Sequence, residues 1–238
     1  MFAFGRGLMH YAAAFAYLGG RNVETKITAL KINRRRRNLV DVYLEGSKKI
    51  RLAKSVAYEL KIGQTLSADQ IEELRERHLE QKLFHRAVDL VSRRPRSEGE
   101  IRERFIKMKA SSELQEKVII RLRDAQLLDD LAFANAWVEN RLSFRPRSAW
   151  ALSFELRRKG VSQELIEQVL EGFDEEKAAY KAASIGSKKF RNLSRENYDK
   201  RLGAYLNRRG FRYPIIAPVL DRVWQEITGF EDESEGLL

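Results

Sequence analysis

The stretches "RRPRSEGEIRERF" (residues 93–105) and "FRPRSAWALSFEL" (residues 144–156) carry the same Arg-Pro-Arg-Ser at the same offset, 51 residues apart. Each then runs into apolar residues at helical spacing. Sliding the chain on itself by 51 residues aligns Arg94–Leu122 with Arg145–Phe173 without a gap. Pro95 meets Pro146, Ser97 meets Ser148, Ile101 meets Leu152 and Phe105 meets Leu156; further on, Leu114 meets Leu165 and Val118 meets Val169. A slide of 50 adds a third copy. Leu152, Leu156 and Gly160 then meet Leu202, Leu206 and Gly210, and Ile166, Val169 and Leu170 meet Ile216, Val219 and Leu220. Self-similarity at such a period is the mark of a repeat array.

Each unit of about 50 residues reads as three helices. The first ends near the Arg-Pro pair, because the residue before proline is pushed out of helical geometry. The serine caps the second helix, and Glu100 completes a capping box with Ser97. Gly160 and Gly210 sit where a left-handed residue closes that helix, each followed by an apolar residue, Val161 or Phe211. Ser162 and Glu164 open the third helix of the second unit. One such unit buries too little surface alone, so neighbours must stack. The fold expected is mostly α: tandem three-helix repeats in an elongated, curved array.

Ahead of the repeats the pattern is different. "TKITALKI" (25–32), "LVDVYLEG" (39–46) and "KKIRLA" (48–53) are rich in β-formers, and Val40, Val42 and Leu44 share one face. They predict a small β-hairpin or meander, with Arg34–Arg37 as a basic loop. Ser67 and Gln70 form a second capping box at the start of the next helix. The expected organisation is an extension over 1–24, the β-hairpin with short helices over 25–76, and repeats over 77–128, 129–174 and 175–228. An acidic tail fills 229–238.

Composition narrows the function. The 238-residue chain has no cysteine and a net charge of +11, and residues 231–238 hold four acids and no base. The remainder is therefore more basic still. Such a body is drawn to polyanions, whether nucleic acid, an anionic membrane face or a nucleoprotein. Absence of cysteine excludes disulfides and thiolate metal sites and fits a reducing cytoplasm. The apolar run Leu8–Leu18 is too short to span a bilayer.

The cations gather at the Pro-Ser junctions and at the ends of the second helices: Arg94, Arg96, Arg145, Arg147, Arg157, Arg158, Lys159, Arg208 and Arg209. Any one of them is explained by the helix dipole alone. As a set repeated from unit to unit they form a ladder suited to an extended acidic partner. A helix-turn-helix reading is weak, because residues 162–172 carry acids and no base on the helix that should read DNA. Signals for catalysis are sparse. His78 and His85 have no acid beside them to complete a metal set, and Asp129-Asp130 reads more simply as a helix cap than as a nuclease carboxylate pair. Trp137, Trp150 and Trp224 read as core anchors.

Taken in order, "ITALK" (27–31), "RRPRSEGEIRERF" (93–105), "LLDDLAFANAWVENR" (127–141), "RPRS" (145–148), "ELRRKGV" (155–161) and "YLNRRGF" (205–211) resemble the RecX regulatory proteins over roughly residues 25–226. The resemblance implies a non-enzymatic protein of DNA repair and recombination, including the SOS response, that needs no cofactor. It implies binding in the groove of the RecA–DNA filament and inhibition of ATP hydrolysis, filament growth and strand exchange. The junction cations would then contact RecA or its DNA. A sequence-independent DNA-binding protein acting without RecA is the rival, and a monomer is expected. The family's pattern has glycine where this chain has Lys109 and Gln126, so the turns of the first unit are expected to take another geometry.

Overall fold

In the computed structural model, residues 24–235 are described, with side chains through Gly229. They fall into two units that divide after Arg86. The extension expected over 1–24 lies, except for Glu24, outside the described residues.

The first unit is built on β1 (Thr25–Ile32), β2 (Leu39–Leu44) and β3 (Lys49–Ala53), which pair antiparallel in chain order. The helix α1 (Lys54–Ala57) follows. A two-residue strand absent from the sequence reading, β4 (Thr65–Leu66), pairs with β1, so the sheet order is β3-β2-β1-β4. One sheet face supplies the core: Val42 and Leu52 are fully buried, joined by Val40, Leu44, Ile50 and Val56. On the other face Asp41 accepts hydrogen bonds from Arg51 (2.7 Å) and Asn33 (3.1 Å). These bonds hold the Asp41 carboxyl below its ordinary range against the opposing effect of burial. Ser67 and Gln70 form the expected reciprocal box at the start of α2 (Ala68–Val91), with N···O distances of 3.2 and 2.9 Å.

The second unit is helical: α3 (Glu98–Lys107), α4 (Ser112–Asp124), α5 (Asp130–Phe144), α6 (Ala149–Arg158), α7 (Gln163–Leu170), α8 (Glu175–Ser187), α9 (Arg195–Asn207) and α10 (Tyr213–Glu235). Two of the positions aligned by the repeat are fully buried in all three copies. Ile101, Leu152 and Leu202 are fully inaccessible, as are Phe105, Leu156 and Leu206 one turn later. Helices α5–α7 close on a core of Phe133, Leu152, Leu156 and Ile166, and α8–α10 on Tyr198, Leu202, Leu206 and Phe211. Arg145, just before Pro146, leaves helical geometry (φ −147°, ψ 67°), which ends α5 as its proline neighbour requires. The backbone of α10 runs on to Glu235, into the segment read as an acidic tail.

The turns of the first repeat correct an expectation. Without glycine they were to differ, yet Lys109 (φ 58°) and Gln126 (φ 55°) adopt the left-handed geometry of Gly160 (φ 80°) and Gly210 (φ 92°). The hydrogen bonds match as well. Lys109 N–H donates to Ile106 O and Ala110 N–H to Phe105 O (2.9 and 3.2 Å); Gly160 N–H donates to Arg157 O and Val161 N–H to Leu156 O (2.9 and 3.2 Å). This is a Schellman closure, anchored in each case by a fully buried residue at its base, Phe105 or Leu156. Core burial and two hydrogen bonds outweigh the cost of a left-handed residue with a side chain, about 1–2 kcal/mol. Lys109→Gly should therefore raise stability by about 1 kcal/mol, or roughly 2–4 °C in thermal midpoint for a chain of this size. The same is expected at Gln126; thermal melts showing no gain at either position would contradict the strain.

Candidate nucleic-acid and filament interface

The joint between consecutive repeats is made of the two local signals in the sequence, brought face to face. The serine-capped start of one second helix sits on the Schellman turn that ends the next one. Ser97 Oγ accepts from Glu100 N–H (3.3 Å) and donates to Lys159 O (2.5 Å). One repeat later, Ser148 Oγ accepts from Ala151 N–H (3.1 Å), and Ser148 N–H donates to Arg209 O (3.1 Å). An acid from the first helix of the following repeat adds a second tie. Asp130 accepts from Glu98 N–H (2.7 Å), and Glu175 accepts from Ala149 N–H (3.3 Å). Both joints are tight: a Cβ on Gly99 would lie 2.6 Å from Lys159 O and 2.7 Å from Gly160 Cα, and one on Gly210 would meet Ser148 Oγ just as closely.

These ties engage both of the paired aspartates. Asp129 caps α5 by accepting from Ala132 N–H (2.9 Å), and Asp130 is committed to the joint, its carboxyl raised by burial. Both line a depression with Glu98, Arg123, Gly160 and Leu165. His78 is half-buried and His85 exposed. Among the described residues no group of three or more His, Asp or Glu side chains is placed to share a metal ion.

The cations divide sharply between the two joints. At the first, Glu100 gathers three of them. Arg94 donates two parallel bonds (2.9 and 3.0 Å), Lys159 Nζ lies at 2.7 Å and Arg96 at 3.8 Å. Burial alone would raise the Glu100 carboxyl, but the bonds from Arg94 and Lys159 overcome it and hold the group at about 2. The expected capping box is accordingly half made. Ser97 caps Glu100, but the Glu100 carboxylate turns to the cations, whose charge-assisted bonds are stronger than one to a neutral N–H. Lys159 and Arg141 also lie over the Trp137 ring, 5.0 and 4.5 Å from its centroid.

At the second joint the position of Glu100 is taken by Ala151, and the cations there have no shared acid. Arg209 stacks on Tyr205 at 3.7 Å, and its Nε is buried without a partner. Burial lowers its pKa, as do the like charges of Arg147, Arg208 and Arg145. Arg145 and Arg208 are exposed. Arg147 is held 3.0 Å from Glu155, which also accepts from Arg141 (2.7 Å) and Trp137 (2.8 Å). On α6, Arg157 reaches Gln163 (3.0 Å), and Arg158 lies over Phe154, 6.0 Å from its centroid.

Two aromatic residues complete this surface, and the sequence reading misplaced one of them. Trp150 is 66% exposed rather than a core anchor, and its near-parallel neighbour Phe154 is 50% exposed. Trp137 and Trp224 are partly buried against the cores of their repeats, as expected. The signal for Trp150 was available: it aligns with Gly99, a joint position, and not with the buried positions Ile101 and Phe105.

Comparison with known proteins bears on this architecture directly. The family model for the second three-helix domain of RecX matches residues 129–170. "Regulatory protein RecX" of Prosthecochloris aestuarii is 33% identical over 142 residues, covering 60% of this chain and 93% of that protein. The chain belongs to the RecX family. The RecX protein of Bacillus subtilis is 32% identical over 174 residues, which cover 72% of this chain and 66% of the relative. A crystal structure of a regulatory protein RecX superposes with a TM-score of 0.64 at 24% identity, over 83% of this chain and 99% of that one, and so shares its fold.

The first joint makes a pH prediction for this RecX-family chain. Glu100 falls from its ordinary 4.5 to about 2 on folding. Its contribution is complete above pH 4.5 and disappears as pH falls toward 2. At about 1.4 kcal/mol per unit this is on the order of 3 kcal/mol. Denaturant unfolding of wild type and Glu100→Gln should differ by that order at pH 7 and converge near pH 2. Curves parallel across that window would show that Glu100 does not tie the joint.

Proposed function

We propose that the chain is a cytoplasmic negative regulator of the RecA recombinase, acting in DNA repair and recombination without catalysis of its own. It would bind in the groove of the RecA–DNA filament and lower ATP hydrolysis, filament growth and strand exchange. Family membership supports the reading, since relatives are named regulatory proteins. The observation that carries it is the repeat-to-repeat joint. It places Arg94, Arg96 and Lys159 at one step, and Arg145, Arg147, Arg208 and Arg209 at the next, on a scaffold fixed by backbone contacts. A partner that repeats, as a filament does, offers acids at successive steps. No described helix is long and apolar enough to cross a membrane.

The cations have unequal parts in this reading. Those around Glu100 mainly hold the first joint. Arg145, Arg158 and Arg208, exposed and without a carboxylate partner among the described residues, are the contacts to RecA or its DNA. The same three favour the second reading, a DNA-binding protein that needs no recombinase. Titration of RecA ATP hydrolysis on single-stranded DNA separates the two. A filament regulator inhibits well below one molecule per RecA, and Arg145→Glu with Arg158→Glu and Arg208→Glu should weaken that inhibition about tenfold or more without loss of fold. Inhibition that appears only at saturation of the DNA, and is abolished by competitor DNA, would favour the second reading instead.

A further inference from the structure

The two joints are copies of one device, but only the first contains its own anion. Arg94, Arg96 and Lys159 align with Arg145, Arg147 and Arg209, and in the first joint the Glu100 carboxylate lies among them at 2.7–3.8 Å. In the second, Ala151 occupies that position; Arg209 Nε is buried with no acceptor, as Arg96 Nε is in the first, but no carboxylate lies beside it. The nearby acids are already engaged: Glu155 by Arg141, Arg147 and Trp137, and Glu175 by Ala149 N–H. Two of the slot's three cations, Arg145 and Arg209, are therefore left without an anion.

The helix face beside it differs in the same direction. Trp150, Phe154 and Arg158 run at four-residue intervals along the exposed side of α6, with Trp150 against Gly210 of the joint. The first repeat has Gly99, Glu103 and Lys107 at these positions, the last two neutralising each other at 2.6 Å. The third has Lys200, Ala204 and Arg208. Exposed, near-parallel aromatic rings next to unpaired guanidinium groups are what a single strand needs, because its base faces are free to stack. A duplex hides those faces and offers phosphates alone. An acidic protein segment would satisfy the arginines but leave the two rings without a matching group.

We propose that the second joint is a contact for single-stranded nucleic acid. One backbone phosphate fills the place that Glu100 fills in the first joint, between Arg145 and Arg209, with the charge of Arg208 nearby. The adjoining bases stack on Trp150 and Phe154, flanked by Arg158. The contact requires no recombinase, so it is tested apart from the regulatory reading.

The test is fluorescence anisotropy of a short labelled oligothymidylate with the full chain alone. A duplex and an abasic strand of equal length serve as comparisons, and polyglutamate as competitor. The intact strand should bind more tightly than either comparison. Trp150→Ala with Phe154→Ala should lose about tenfold in affinity for it and erase its advantage over the abasic strand. Ala151→Glu, which supplies the missing carboxylate, should weaken binding and lower the salt slope by about one phosphate, while Ala151→Gln, of the same size, should not. Arg145→Glu with Arg208→Glu addresses the same slot from the exposed side, without crowding Gly210, and should weaken binding likewise. Equal affinity for intact and abasic strands, or an unaltered Trp150/Phe154 variant, would overturn the stacking contact. Displacement by polyglutamate as effective, charge for charge, as by unlabelled oligothymidylate would assign the slot to an acidic protein surface instead.

Discussion

Everything in the helical unit depends on one short hydrogen-bonded contact: the capped start of a second helix resting on the Schellman turn of the next repeat. Helix ends leave backbone donors and acceptors without intrahelical partners. Here the serine that satisfies donors at the start of one helix also meets a carbonyl at the end of another, Ser97 with Lys159 O and Ser148 with Arg209 O. The contact joins termini of opposite partial charge and needs close backbone approach. That explains Gly99 against Gly160, where no Cβ fits.

Because the contact is made by backbone and serine, the side chains around it are free to vary, and they do. The first joint has become an ion-paired clasp around Glu100. The second has kept the cations and lost the acid. An identical geometry thus supports two electrostatic states, one closed on itself and one open to an outside anion. A single position, Glu100 or Ala151, decides between them, since a half-buried carboxylate among three cations neutralises charge that would otherwise face solvent. The regulatory reading and the single-strand contact both draw on this difference.

Much of the architecture is legible in the sequence. The offsets of 51 and 50 residues picked out the fully buried pairs Ile101/Leu152/Leu202 and Phe105/Leu156/Leu206, because a repeat must bury the same face each time. Caps at Ser67, Ser97, Asp129, Ser148 and Ser162 were legible from residue type, since capping is a local interaction. Less visible was β4, whose two residues leave no pattern. Trp150 departs from the core role expected of it, because apolar character does not by itself require burial and its aligned position lies at the joint. Of the candidate site, the residues could be named but not sorted. Arg94, Arg147 and Lys159 proved to be ion-paired, and Arg145 and Arg208 proved exposed.

What the sequence by itself determined was the repeat, its helices and their ends, because periodicity, capping and proline geometry act over a few residues. What only the tertiary structure decided was which charges are spent inside the fold. Glu100 meets Lys159 across 59 residues, and Trp150 meets Gly210 across the joint. An ion pair or a stacking surface exists only once distant segments are brought within a few ångströms, and no local pattern encodes that distance.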